Sequence, residues 1–314
     1  MSTLAKATAM MKLTLVSVLL LAVTAAAASS RDDCDRGCLI RIADNYLNAL
    51  THGDVEQIRS SLSSENVMTE NGDVTSPGKG LWSTAKGFAT RQTFADPTSG
   101  QVALFAEVRE DGGLYAHVAI RLKVAERKIT EIETMAVRHG DHSLFDPNPP
   151  PPMLPLWSTP VALSSVQKRD ELIALANDYY ETLLRSDPRG LFSPDCDRFE
   201  NGVQTSNNPQ ARGGISCTEG GKGYYGFIKG ARSRRFPVVD EELGIVVGMA
   251  HLDLPGTVKE LVIRGKSIPI PERNQVQRSS AVFAVYKVQY GQIRAIMARV
   301  REEPYLHATA WDKQ

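Results

Sequence analysis

At 314 residues the chain is long enough for two domains of ordinary size, each burying its own core. Its 36 basic residues balance 36 acidic ones, so no basic excess marks nucleic acid as the main partner. An apolar content of 42% is that of a soluble globular protein.

Lys12 precedes the apolar run Leu13 to Val23, and Ala25 to Ala28 supply small residues for cleavage. Residues 1–28 therefore read as a secretory signal peptide, with Met10 or Met11 as alternative starts. The run is short for a membrane span, although an uncleaved anchor is the alternative. The expected location is the periplasm or the extracellular medium, with no stable membrane anchor after cleavage. Disulfides persist there. Four cysteines allow three pairings. Cys196 with Cys217 is favoured, closing a Gly- and Asn-rich loop, which in the chain-entropy model stabilises by about 3 kcal/mol. Cys34 and Cys38 then pair across one helical turn. A zinc site built from all four lacks the usual Cys-x₂-Cys spacing.

Leu39, Ile42, Ala43, Tyr46, Leu47 and Leu50 form an amphipathic helical stripe. Thr51-His52-Gly53 ends it, and Asp54 caps a short second helix carrying Val55, Ile58 and Leu62. Glu70-Asn71-Gly72 leads into a polar loop, then an irregular segment around Trp82 and Phe88. Strands are expected at Val102 to Val108, Leu114 to Val124 and Lys128 to Val137, the first two joined by Glu110-Asp111-Gly112-Gly113. The Pro-rich stretch within residues 146–163 reads as a stiff extended linker. Ser164-x-x-Gln167 is a candidate capping box for the next helix.

That helix repeats the first: Leu172, Leu175, Ala176, Tyr179, Tyr180 and Leu183 fall 133 positions later, as Leu39 to Leu172 shows. Asp187-Pro188 stands where a second short helix is expected. Glu200-Asn201-Gly202 echoes the earlier triplet. Strands follow at Gly244 to Asp253, Ser279 to Val288 and Gln292 to Val300. The expected domains are residues 33–145 and 164–314. Helices first and a sheet after is an α+β layout: two cone-shaped repeats, each with helices followed by a curved antiparallel sheet.

Each half resembles the nuclear-transport-factor-2-like (ketosteroid-isomerase-like, SnoaL-like) cone. The resemblance rests on element order, on Tyr46-Leu-Asn-Ala-Leu50 with Gly53-Asp54, and on Tyr179-Tyr-Glu-Thr-Leu183 with Ser186-Asp187. The segment Cys196-x-Arg198-x-Glu200-Asn-Gly202, then Cys217 and Arg234-Arg235-Phe-Pro-Val-Val-Asp240-Glu241-x-x-Gly244, resembles a narrower family of secreted proteins of uncharacterised function in fungi and bacteria. The broad resemblance implies a hydrophobic pocket used for isomerase, dehydratase, lyase or cyclisation chemistry, or for binding alone. Its catalytic acids map onto no fixed motif here.

From the residues themselves, Glu200 at the mouth of an apolar cone is a candidate general base. Arg198 is the group that would instead keep it ionised for anchoring. The alternative is a structural pair holding the cysteine loop, with Asn201-Gly202 a turn shared by both halves. His251 and Asp253 share a strand face and form a second candidate catalytic pair; the alternative is a solvent-facing strand end. Tyr179 and Tyr180 aim hydroxyls into a pocket or are plain core aromatics. Arg235, beside Arg234, is a candidate gate for an anionic ligand or simply solvated surface. His139, Asp141 and His142 make a weak metal candidate or a loop, and no metal is expected. Gly221-Lys-Gly223-Tyr-Tyr-Gly226 fits Gly-x-Gly-x-x-Gly but follows no strand of a βαβ unit, so no dinucleotide cofactor is expected. Gly-x-Ser-x-Gly is absent, which disfavours a serine hydrolase. Two functions remain: a cone binding a small, largely apolar ligand, with or without cofactor-free proton transfer, and a non-catalytic protein whose pocket is filled by side chains.

Overall fold

The computed structural model of the chain describes residues 34–148, 153–210 and 214–312. The expected signal peptide lies outside them. Helix α1 (Arg36–His52) begins where Asp35 accepts from the Cys38 backbone N–H, and ends at Gly53, whose φ of 65° is the left-handed conformation that glycine tolerates. Its stripe of Leu39, Ala43, Tyr46, Leu47 and Leu50 is buried. Asp54 caps α2 (Val55–Arg59), which is shorter than expected: Leu62 already belongs to the first strand.

The rest of this half is β1 (Leu62–Glu70), β2 (Asp73–Val74), α3 (Leu81–Thr84), β3 (Ala85–Asp96), β4 (Gln101–Glu110), β5 (Tyr115–Ala125) and β6 (Lys128–Val137). The second half repeats it with α4 (Arg169–Arg185), β7 (Phe192–Glu200), β8 (Val203–Gln204), α5 (Cys217–Gly220), β9 (Gly230–Asp240), β10 (Ile245–Leu254), a separate ribbon of β11 (Glu260–Ile263) and β12 (Lys266–Pro269), then β13 (Arg278–Gln289) and β14 (Gln292–Glu303). The sheet orders are β2-β1-β6-β5-β4-β3 and β8-β7-β14-β13-β10-β9, the same order twice.

The α+β layout stands, with corrections. Each sheet is mixed rather than purely antiparallel, because β1 runs parallel to β6 and β7 parallel to β14. The segment around Phe88 is strand β3, not irregular. Asp187-Pro188 starts no helix: Arg189 and Gly190 take positive φ and turn the chain into β7. Helix α4 starts four residues beyond the Ser164 box, where Glu171 accepts from the Lys168 N–H.

Strands β4 and β10 are buried along nearly their whole length. Alternate residues face opposite ways. Leu104, Ala106 and Val108 pack on α1, while Ala103 and Phe105 join Val247, Met249, Phe283 and Val285 of the second half. The two sheets therefore meet face to face between two outer helices. Phe105 and Phe283 meet edge to face, centroids 5.6 Å apart.

Charges in this seam are paired across it, and in part symmetrically. Arg36 at the start of α1 binds Asp240 at the end of β9 (2.6 Å), and Arg169 at the start of α4 binds Asp96 at the end of β3 (2.7 Å). Arg299, 1% exposed, holds Glu107 at 2.6 Å. The Pro-rich linker is anchored rather than free at its C-terminal end. Trp157 and Val161 are buried, and Lys287 donates to the carbonyl of Thr159 at 2.6 Å.

Removing Arg299 alone takes from a buried carboxylate its closest cation and leaves it only His117 and Thr90. Arg299→Met should cost about 3–5 kcal/mol in urea unfolding at neutral pH, and adding Glu107→Leu should recover much of it. Burial pushes the Glu107 carboxyl up, but Arg299, His117 and Thr90 outweigh this and pull it from 4.5 to about 2. Its folded-state value lies below the unfolded one. Its stabilisation is thus complete above the unfolded value and is lost as pH falls from about 4.5 through about 2. Glu107→Gln should remove that part of the acid-unfolding profile.

Candidate functional site

On the helix-facing side of the second sheet lies a cavity of about 340 Å³. Its walls are apolar: Leu183 from α4, Phe227 and Ile228 from the chain before β9, Leu252 and Leu254 from β10, and Val282 from β13. Its polar groups come from several elements: Arg198 and Glu200 from β7, Thr205 just after β8, Tyr179 from α4, Arg278 and Ser280 from β13, and Arg273 and Asn274 from the turn before it. Arg198 is buried among them, donating to the Tyr179 hydroxyl at 3.1 Å, to the Thr205 hydroxyl at 2.9 Å and to Glu200 at 2.5 Å. Its guanidinium also lies 5.8 Å from the centre of the Tyr225 ring. Burial works against the arginine's charge, but Tyr179, Tyr225 and Glu200 hold its pKa above the ordinary value. Burial likewise raises the Tyr179 hydroxyl, so it stays a neutral donor.

The other oxygen of Glu200 faces His142 Nδ1 at 3.5 Å. His142 arrives from the loop after β6, in the first half. The Leu144 N–H donates to the same nitrogen at 3.0 Å, which fixes the ring. Asn201 holds that loop in place, donating to the Leu144 carbonyl at 3.0 Å.

The first half shows what an unequipped cone looks like. Tyr46 is the counterpart of Tyr179, and its hydroxyl accepts from the Trp82 indole at 3.1 Å instead of from an arginine. The strand position matching Arg198 is Met68, which is buried in the core. Glu70 takes the Leu81 N–H at 2.7 Å and pairs with Arg138. The second half also has longer connections: β8 to β9 and β10 to β13 take more chain than β2 to β3 and β4 to β5.

Of the candidate site residues read from the sequence, Tyr179, Arg198, Glu200 and His142 line this cavity, and the others do not. His251 and Asp253 share a face of β10, as alternation requires, but it is the face turned to the other sheet. His251 pairs with Glu303 at 2.5 Å, while Asp253 accepts from Ser279 at 2.6 Å and Arg232 at 3.2 Å. Tyr180 packs against Phe236 and Tyr286 in the core. Arg235 crosses to Glu133 at 2.6 Å. Asn201 and Gly202 form a hairpin turn at positive φ, matched by Asn71 and Gly72. The Asn201 amide pins the turn to Val300 as Asn71 pins its own to Ala136. The repeated triplet is thus a shared turn. His139, Asp141 and His142 diverge: Asp141 accepts from the Arg138 N–H, and His139 packs on Phe145. Sequence reading missed His142 as a partner of Glu200, and with it Thr205, Tyr225, Arg273 and Arg278 as lining residues. The one signal was the Tyr-Tyr-Gly-Phe cluster after Cys217.

Both expected disulfides form. Cys34–Cys38 spans one turn with Cα atoms 5.2 Å apart, and Cys196–Cys217 ties β7 to α5 at 5.9 Å. Such bonds belong to an oxidising compartment. Among the described residues no helix is long and apolar enough to cross a membrane. Replacing both Cys196 and Cys217 by Ser should lower stability by about 3 kcal/mol, and replacing Cys34 and Cys38 by about 2 kcal/mol, read from urea midpoints.

No curated protein matches the chain. Among solved structures it is similar to an NTF2-like protein of unknown function from Cytophaga hutchinsonii, at 10% identity and a TM-score of 0.27 over 31% of this chain and 88% of that one. It is similar to an LEH-like epoxide hydrolase of Mycobacterium tuberculosis, at 17% identity and a TM-score of 0.25 over 32% and 83%. It is also similar to a Δ5-3-ketosteroid isomerase from a Mycobacterium species, at 15% identity and a TM-score of 0.24 over 31% and 91%. In sequence, the family described as a domain of unknown function (DUF8021) matches residues 32–136 and 165–300, on both sides of the linker. The chain belongs to that family.

Proposed function

We propose that this protein, exported to the periplasm or the extracellular medium, binds a small, largely apolar organic molecule in the cone of its second half. The observation that carries the reading is the cavity of about 340 Å³, in which apolar side chains from α4, β10 and β13 stand beside Arg198, Glu200, Tyr179 and Thr205, with Arg273 and Arg278 also in its lining. That combination of apolar lining and a few convergent polar groups is what small-molecule sites share. The contrast with the first half supports it. There the Trp82 indole takes the tyrosine hydroxyl and buried Met68 holds the strand position of Arg198.

Binding is the primary role in this reading. Glu200 is held at 2.5 Å by the buried Arg198, an arrangement that suits anchoring a ligand better than abstracting a proton. Proton transfer in the same cavity would fall to Glu200, the carboxylate among its lining residues. His251 and Asp253 have no part in it, because they lie on the other face of β10.

The test is native mass spectrometry of the mature protein purified gently from its own host, followed by the denatured intact mass. The expected result is a co-purifying small molecule that Arg198→Met and Glu200→Gln release and His251→Gln retains. Saturation at 100 times the Kd should add about 2.7 kcal/mol of stability, visible as a thermal shift. No bound mass, and no shift with apolar acids, phenols or steroids, would favour the alternative of a non-catalytic structural or interaction protein.

A further inference from the structure

We infer that the ligand is an anion: an apolar body with an acidic group at the rim of the cavity and a neutral carbonyl or hydroxyl oxygen at its floor. This rests on the ligand-binding reading above and gives it a chemical class. Three arginines line the cavity, Arg198, Arg273 and Arg278, against one carboxylate, Glu200. The floor is internally balanced, since Arg198 and Glu200 neutralise each other at 2.5 Å. A second full charge placed there would have to break that buried pair. The Tyr179 hydroxyl accepts from Arg198 and so has its own proton left to give, which suits a neutral oxygen acceptor.

The rim is not balanced. Arg278 shares Glu302 at 3.3 Å, and its guanidinium also donates to the Arg273 carbonyl and, at 2.7 Å, to the Asn274 side chain. It thereby fixes the turn Glu272–Gln275 that presents Arg273. Arg273 is exposed, lines the cavity and makes no ion pair among the described residues. Its neighbour Glu272 does not line the cavity. A positive group at the mouth of an apolar funnel steers anions inward and holds their charged end at the water boundary, where desolvation is least.

The experiment uses matched pairs on three apolar bodies: 2-naphthoic, 4-biphenylcarboxylic and decanoic acids, each against its methyl ester. It adds 6-hydroxy-2-naphthoic acid to probe the floor. Affinities for the full-length mature protein are read by calorimetry at pH 7. The acids are expected to bind about tenfold more tightly than their esters, with the gap narrowing in 0.5 M NaCl. Arg273→Ala, at an exposed position and with unchanged Tm, should remove the gap, and Arg273→Glu should invert it. The hydroxylated acid should bind more tightly than 2-naphthoic acid, and Tyr179→Phe should erase that difference. Esters binding as well as acids, with Arg273→Ala neutral, would overturn the anionic class and leave the binding cone standing. Failure of every acid and every ester to bind would overturn both.

Discussion

Double burial of two sheets is the constraint on which this molecule depends. Each sheet has one face against its own helix and the other against its twin. Phe105, Phe283, Met249 and Met297 are therefore buried, although they sit on strands whose opposite rows already pack on α1 or α4. Strands buried on both faces read as near-continuous apolar runs, as β10 does from Ile245 to Leu254. Polar groups in such a seam must find partners inside it. That is why Glu107, Glu133, Asp96 and Asp240 each face an arginine from the other half. It is also why His251 and Asp253 find their partners in Glu303, Ser279 and Arg232 rather than in the helix-facing cavity.

The seam occupies one face of each sheet, and the cavity of about 340 Å³ lies on the opposite, helix-facing side of the second sheet. There the halves diverged while the seam kept its reciprocal pairs. Arg36–Asp240 and Arg169–Asp96 are mirror contacts of the same two positions, as in an isologous dimer. The interiors of the two cones share no such symmetry. In the first, a tryptophan and a methionine complete the core. In the second, a buried arginine is supported by a tyrosine, a threonine and a glutamate, with a disulfide bracing the strand that carries it.

The helices and the internal repeat were legible because their signals are local. The stripe from Leu39 to Leu50, the Asp54 cap and the 133-residue offset to Leu172 need no knowledge of the third dimension. Strand β3 was not legible, since its outward half alternates exposed and half-buried residues with no apolar run. On β10 the alternation told correctly that His251 and Asp253 share a face. It could not tell which face, because both are buried. The Arg198–Glu200 pair was within reach because its members lie two residues apart near the end of one strand. His142 was not, since its approach to Glu200 depends on a loop held by Asn201 from the other half.

That loop has a consequence for descent. The floor of the cavity is written after the linker, but part of its rim, His142 to Leu144, is written before it. Neither repeat inherits the whole site. Recombination that exchanged one repeat would carry away a piece of the pocket, and gene fission would divide it. Once the rim of one cone came to be supplied by its neighbour, the duplication could no longer be undone without loss, and the two halves became a single heritable unit.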